Sequence, residues 1–183
     1  MPSLLLLPLP SGGPVQEESY SSLRSDLERV FRLPSVLARS PLADLSFAYD
    51  SSRNQYYSTA LLSSILEIYP KYDGKILAVT SMDLYVPVLT YVFGEAQLDG
   101  TAAIVSTYRL HESLYGLPED DTLYRERVVK ECVHELGHTF GLVHCHNFEC
   151  VMHSSSAVEE VDLKKAEFCE RCEGMLGLNP PSQ

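Results

Sequence analysis

The amino-acid sequence predicts an α/β fold, a mixed twisted sheet with helices on its faces, in a single domain of 183 residues. Apolar runs short enough to be buried strands alternate with longer segments whose apolar residues recur at helical spacing. Apolar residues make up 45% of the chain and charged residues 21%, which is ordinary for a globular protein. A chain of this length can bury a sizeable core.

The first half of the chain contains two helical patterns between apolar runs. The runs at 4–9 (LLLLPL) and 75–80 (KILAVT) are typical of strands buried on both faces. Leu23, Leu27 and Phe31 recur every four residues, as on one face of a helix. In order, we expect a strand at 4–9, a turn at 11–14, a helix at 17–31, a short strand at 45–49, a helix at 57–69 and a strand at 75–80.

The longest predicted helix spans 122–140. An acidic run at 119–121 suits its N-terminus, where negative charge meets the positive end of the helix dipole. Gly141 is well placed to end it in a left-handed turn. Its buried stripe should consist of Val129, Val133, Leu136 and Phe140.

The rest of the second half has weaker patterns. Two strands are predicted at 91–94 and 101–107, and Asp99-Gly100 between them is a turn signal. A short helix is predicted at 161–168, and we expect the tail at 177–183 to be flexible.

Composition excludes several kinds of partner. The net charge is -11, with 25 acidic against 14 basic residues and no basic run, so neither nucleic acid nor an anionic membrane is expected to bind. No apolar stretch is long enough to span a membrane. The N-terminal leucines lack a preceding Lys or Arg and are interrupted by prolines, unlike a signal peptide. We therefore expect an intracellular monomer, cytoplasmic or nuclear, without structural disulfides.

The stretch HELGHTFGLVHCHNFEC at 134–150 concentrates four histidines and two cysteines. His134 and His138 are four residues apart, so on a helix they project from one face and can share a metal ion. Glu135 then lies beside that ion, where it can accept a proton from a metal-bound water. The three residues are candidates for a hydrolytic site.

A third ligand follows the predicted helix. If the chain reverses at Gly141, His144 can reach the same ion, and three neutral imidazoles leave a fourth position open for water, as in catalytic zinc sites. The full pattern HExxHxxGxxH is expected by chance in roughly 3 of 100,000 chains of this composition. Coincidental spacing is therefore a weak alternative.

Four cysteines form two close pairs. Four residues separate Cys145 from Cys150, and two separate Cys169 from Cys172. This is the layout of a closed tetrahedral zinc site, which is structural because no position is left for water. Two alternatives remain open. A redox CxxC at 169–172 lacks the strand and helix of a thioredoxin motif, and two disulfides would require an oxidising compartment.

These residues resemble those of a known group of enzymes. The pattern from His134 to His144 is similar to the extended zinc motif of the metzincin metallopeptidases, and Met152 is the natural counterpart of their methionine turn. Ser154 stands where some metzincins have a tyrosine. With the cysteines up to residue 172 included, the sequence resembles the archaemetzincins, also called archaelysins.

The resemblance implies a compact metzincin-like fold and zinc-dependent peptidase activity on a peptide or protein substrate. It implies a catalytic zinc ion on His134, His138 and His144, with Glu135 as general base. It also implies a second, structural zinc ion on the four cysteines. Each chain would then bind two zinc ions.

We expect the single domain 1–183 to be divided at the end of the active-site helix. Residues 1–141 would form an upper part with the sheet and that helix, and residues 142–176 a lower, loop-rich part stapled by the structural zinc. The segment at 91–97 could pair with an extended peptide, as edge strands do, or merely complete the sheet.

The function predicted from the sequence is hydrolysis of a restricted set of peptides, since an unrestricted intracellular protease would be hazardous. One alternative is a zinc-stabilised peptide- or protein-binding module with a vestigial peptidase site, although the intact Glu135 argues against it. Another is a thiol-based redox protein.

Cys132 is expected to be a core residue. His146 and His153 remain unassigned, and His111 is expected to face solvent.

Overall fold

The computed structural model describes residues 2–10 and 17–176, and in them the chain forms two sheets and five α-helices. The strands are β1 (Ser3–Pro8), β2 (Ser35–Leu37), β3 (Tyr49–Asp50), β4 (Gln55–Tyr57), β5 (Gly74–Thr80), β6 (Leu84–Tyr85), β7 (Gly94–Ala96) and β8 (Ala102–Ser106). The α-helices are α1 (Glu17–Phe31), α2 (Ser58–Ile68), α3 (Asp121–Thr139), α4 (Val158–Leu163) and α5 (Glu170–Leu176).

The main sheet has the strand order β2-β1-β5-β8-β7. Its first four strands are parallel, and β7 runs antiparallel to β8 at one edge, with Glu95 opposite Ile104. Because helices cover both faces, β1, β5 and β8 are buried on both sides, which explains their continuous apolar sequences. A small second sheet has the order β3-β4-β6.

The core is divided between the two faces of the main sheet, because successive side chains of a strand point in opposite directions. Leu4 and Leu6 of β1 belong to a cluster with residues of α1 and α3. Leu5 and Leu7 belong to a second cluster, with residues of α2. The first cluster also contains Met152, so the segment after α3 shares a core with this helix.

Helix α3 lies against the sheet with the predicted stripe facing inward. Its buried residues include Val129, Val133 and Leu136. Phe140, predicted as the fourth member, is only half-buried and stacks on Phe31, with ring centroids 5.2 Å apart. Gly141 ends the helix with a φ of +88°, which confirms the predicted left-handed turn.

The longer predicted elements are confirmed. The three helices expected at 17–31, 57–69 and 122–140 correspond to α1, α2 and α3, and the strands expected at 4–9, 75–80 and 101–107 correspond to β1, β5 and β8.

The strand predicted at 45–49 is wrong. The chain forms a 3₁₀ turn at Ser46–Ala48, followed by the two-residue strand β3. The side chain of Asp44 explains the turn, because its carboxylate accepts hydrogen bonds from the backbone N–H of Ser46 (2.9 Å) and from the Ser46 hydroxyl (2.7 Å). An Asp side chain that bonds its own backbone two residues on favours a turn over an extended strand.

Other elements are shifted or were not predicted. The strand expected at 91–94 begins only at Gly94, and the helix expected at 161–168 lies at Val158–Leu163. Strands β2, β4 and β6 and helix α5 were not predicted. The turn expected at 11–14 and the tail at 177–183 lie outside the described residues. Within the described ranges, no helix has both the length and the apolar character needed to cross a membrane.

The N-terminus of α3 provides a test of local stability. The Asp120 carboxylate accepts hydrogen bonds from the backbone N–H groups of Thr122 and Leu123, both at 3.0 Å. We expect Asp120→Ala to lower the free energy of unfolding by about 1 kcal/mol, because both amides lose their acceptor. Urea denaturation measures this change. Glu119→Ala, which removes an exposed carboxylate one residue earlier, is the control, and an equal loss in both variants would contradict the capping role.

Candidate active site and metal centres

The last turns of α3 and the loop after it bring three histidines together. One ring nitrogen of each of His134, His138 and His144 lies within 4.8 Å of the others. His134 is buried, His138 is half-buried and His144 is exposed, so the cluster opens to solvent on one side. Helical spacing brings the first two together, and the left-handed turn at Gly141 redirects the chain so that His144 returns to them.

Hydrogen bonds fix the orientation of two of these rings. The Nδ1 atom of His134 lies 2.8 Å from the carbonyl oxygen of Val151, and Nδ1 of His138 lies 2.7 Å from that of Leu142. A carbonyl oxygen only accepts, so both Nδ1 atoms carry the proton and donate it. In a neutral imidazole, each Nε2 atom then presents a lone pair.

The two Nε2 atoms face each other at 3.1 Å. Two lone pairs this close repel unless a cation lies between or beside them, so this donor set fits a metal ion. Burial lowers the pKa of His134 well below its usual value and also lowers that of His138, which keeps both rings in the neutral form that binds metals. Nδ1–H bonds to backbone carbonyls commonly orient metal-binding histidines.

Glu135 lies beside the histidines and is only 6% exposed. Burial, and next the nearby Glu131 carboxylate, raise its pKa well above the usual value, while the Lys164 ammonium acts in the opposite direction. Strand β7 runs close past it, since a Cβ atom added at Gly94 would lie 2.5 Å from Cγ of Glu135. The Glu135 carboxylate therefore lies between its own helix, α3, and the edge strand β7.

Glu131, one turn before Glu135 on α3, forms a buried ion pair with Lys164. Nζ of Lys164 donates to the Glu131 carboxylate at 2.8 Å and to the carbonyl oxygen of His153 at 3.2 Å. The side chains of the pair are 0% and 4% exposed. Sequence reasoning missed both residues, because Lys164 stands in a charged stretch that reads as a solvent-exposed face.

The segment after α3 passes beneath the histidines. The backbone N–H of Cys145 donates to the carbonyl oxygen of Met152 at 2.9 Å, and the Met152 side chain is fully buried. A Cβ atom added at Gly137 would overlap the sulfur of Met152, so glycine allows α3 to approach this turn closely.

The four cysteines other than Cys132 form a second cluster, with all Sγ atoms within 4.8 Å of one another. The Sγ atoms of Cys145 and Cys169 are 3.8 Å apart, as are those of Cys150 and Cys172. A disulfide needs about 2.05 Å, so these are free thiols. Two sulfurs bound tetrahedrally at about 2.3 Å from one zinc ion are about 3.8 Å apart, so the cluster fits a zinc ion.

The remaining candidates have other environments. Cys132 is fully buried in the core, as predicted, and burial raises its pKa. Nδ1 of His153 lies 2.9 Å from the carbonyl oxygen of Cys145, and His146 is exposed. The expectation that His111 faces solvent is wrong, because its ring is half-buried and stacks on Tyr124 with centroids 4.0 Å apart.

A cleft with two cavities runs along the segment 89–98 past the histidines. The Tyr91 cavity, about 330 Å³, is lined by residues of 89–94 and of 154–156. The Leu98 cavity, about 370 Å³, is lined by residues of 94–98 and by Val143. Residues that line both are Gly94, His134, Glu135 and His144. The polar groups of the candidate site therefore lie at the middle of the cleft, where a bound chain could contact them.

Known proteins are similar to this chain in sequence and in fold. A family model described as peptidase family M54 matches residues 20–177. The archaemetzincin of Methanocaldococcus jannaschii is 38% identical over 161 residues, which cover 87% of this chain and 86% of that protein. The crystal structure of archaemetzincin from Methanopyrus kandleri matches with a TM-score of 0.80 and 38% identity, over 97% of this chain and 94% of the other.

A third similar protein is named for its activity. The structure of a zinc-dependent peptidase from Methanocorpusculum labreanum matches with a TM-score of 0.83 and 32% identity, over 95% of this chain and 100% of that one. These matches extend over nearly the whole fold, and the histidine cluster beside a buried carboxylate is suited to hydrolysis. The chain belongs to the archaemetzincins, peptidase family M54, and is a zinc metallopeptidase.

Proposed function

We propose that this peptidase hydrolyses peptide bonds at the middle of the cleft, with zinc held by His134, His138 and His144 and with Glu135 as general base. The observation that carries the proposal is the orientation of the first two rings. Their Nδ1 protons are used by backbone carbonyls and their Nε2 lone pairs converge at 3.1 Å. An arrangement that is repulsive without a cation is favourable with one.

Bound by the three histidines, zinc would supply a Lewis acid that polarises the scissile carbonyl and lowers the pKa of water to about 7. Glu135 accepts the proton of the attacking water and later delivers it to the leaving amine. Burial raises the pKa of Glu135, and a carboxylate with a higher proton affinity is a stronger base for the proton of the attacking water. The close approach of Gly94 in β7 limits the movement of the Glu135 side chain.

The substrate, on this proposal, lies in the cleft alongside the free edge of β7, where an extended peptide can add backbone hydrogen bonds.

The four-cysteine cluster holds a second zinc ion with a purely structural role. It fastens the segment that contains Met152 to α5, close beneath the histidines.

Glu135→Gln tests the general base while keeping the shape of the side chain. We expect it to bind as much zinc as the wild type but to lose about 10²- to 10⁴-fold in kcat, the usual contribution of a positioned acid–base group. Metal analysis and a peptide-library assay on the same samples measure both. Glu126→Gln changes an exposed carboxylate of the same helix and should retain full activity. Wild-type turnover in Glu135→Gln would contradict the mechanism.

Cys172→Ser tests the structural ion. We expect it to bind one zinc ion fewer per chain and to melt at a lower temperature, because the free energy of binding a structural zinc, roughly 10–16 kcal/mol in zinc-finger peptides, contributes to folding. Metal emission spectroscopy and thermal melts measure these changes. Cys132→Ala removes the one cysteine outside the cluster and should retain both ions. Unchanged zinc content in Cys172→Ser would refute the second site.

We further propose a restricted substrate range, since both cavities are at the small end of ligand-binding pockets, which span about 300–1,000 Å³. The zinc-loaded protein should therefore cleave some members of a short-peptide library while leaving casein largely intact on a gel. Broad digestion of casein would refute the restriction.

A further inference from the structure

Tyr91 connects two walls of the cleft on one side of the histidine cluster, since it lines the Tyr91 cavity and not the Leu98 cavity. Its hydroxyl donates to the carbonyl oxygen of Ser156 at 2.7 Å. Tyr91 belongs to the wall formed by 89–94, and Ser156 to the opposite wall formed by 154–156. Where this hydrogen bond joins the walls, an extended chain in the cleft meets a barrier.

The ring of Tyr91 is held from two sides. The guanidinium of Arg109 stacks over it, 4.1 Å from the ring centroid, and Phe93 contacts it edge-on, with centroids 5.5 Å apart. Arg109 is itself fixed by a two-pronged ion pair with Asp83, with N–O distances of 2.8 and 2.7 Å. A planar guanidinium anchored by two parallel bonds has little freedom to swing away.

The backbone next to Tyr91 is also anchored. Arg53 donates to the carbonyl oxygens of Leu89 (2.7 Å) and Thr90 (2.9 Å), and Gln55 donates to that of Thr90 at 3.0 Å. On the other wall, the Glu160 carboxylate of α4 accepts from the backbone N–H of Ser156. Both ends of the bridge are therefore tied to the surrounding structure, unlike a loosely held flap.

The wall of the Tyr91 cavity offers one further polar group. The hydroxyl of Ser155 is buried, and among the buried side-chain nitrogen and oxygen atoms of the described residues it is the one without a hydrogen-bond partner in the protein. A buried hydroxyl without a protein partner costs free energy unless water or a ligand supplies the hydrogen bond. A cavity whose walls are joined by the Tyr91–Ser156 hydrogen bond has room for only a short segment of an extended substrate.

We propose that Tyr91 determines substrate specificity by limiting how many residues the cleft accepts on one side of the scissile bond. This inference rests on the proposed function, since it places that bond at the histidine cluster. The Leu98 cavity, on the other side of the cluster, has exposed apolar side chains at its border, Leu98 and Val143, and takes the longer part of the substrate.

Two series of peptide hydroxamates test the inference without turnover, because the hydroxamate binds the catalytic zinc and fixes the register. In one series the hydroxamate replaces the C-terminal carboxylate, so that the peptide occupies the positions before the scissile bond. In the other series a succinyl hydroxamate is attached to the N-terminus, so that the peptide occupies the positions after the scissile bond. Calorimetry on the zinc-loaded full chain gives Kd. Lengthening from one to about four residues should weaken binding roughly tenfold or more in one series and less than about threefold in the other. The weakened series identifies the closed side.

Two variants connect this difference to Tyr91. Tyr91→Ala should remove the length penalty of the weakened series, and Tyr91→Phe, which keeps the ring, shows whether the hydroxyl is needed. If Tyr91→Ala removes the length penalty and Tyr91→Phe does not, the proposal is still supported, and the ring rather than the hydroxyl is the barrier. Tyr49→Phe deletes a hydroxyl that makes a single 2.7 Å bond to Asn54 away from the cleft, and should retain the penalty.

The outcomes separate this inference from the proposed function. Equal length dependence in both series of the wild type, or an unchanged penalty in both Tyr91 variants, would overturn the specificity role while leaving the zinc site intact. Failure of every hydroxamate to bind the zinc-loaded chain would overturn the proposed function and this inference with it.

Discussion

The candidate site depends on two hydrogen bonds that direct imidazole rings. The carbonyl oxygens of Val151 and Leu142 take the Nδ1 protons of His134 and His138, and this leaves the two Nε2 lone pairs facing one another. Both carbonyls belong to the segment after α3, outside the helix that supplies the rings. Ligand geometry on the helix is therefore set by the path of a loop, so that every constraint on this loop also acts on the histidine rings.

The cysteine cluster is placed to supply such a constraint. Cys150 directly precedes Val151, and Cys169 donates its backbone N–H to the sulfur of Cys150 at 3.3 Å. The buried Lys164–Glu131 pair acts from the other side, since it connects the chain beyond Met152 to α3. Removing one partner of a buried pair costs roughly 3–5 kcal/mol because the other charge is left unpaired. The cysteine cluster and the ion pair thus constrain the same short segment.

The sequence predicts those parts of this protein in which a pattern repeats. The apolar runs of β1 and β5 and the spacing of Leu23, Leu27 and Phe31 extend over enough residues to distinguish strand from helix. Strands of two or three residues, such as β4 and β6, have no measurable period, and at 45–49 the side chain of Asp44 overrides the apolar pattern. The histidine cluster follows from local spacing and one turn, and the cysteine cluster was predicted from two close pairs with the spacing of a zinc site.

Contacts between residues that are far apart in the sequence were not predicted, because they too have no repeating pattern. Lys164 meets Glu131 across 33 positions, and Tyr91 meets Ser156 across 65. Neither contact leaves a local signature, because each depends on how the sheet edge and the segment after α3 are packed together. The groups suited to bond cleavage therefore lie close together in the sequence, whereas the shape of the cleft comes from distant segments. Substitutions at such long-range contacts could change which peptides fit while leaving the zinc-binding pattern unaltered.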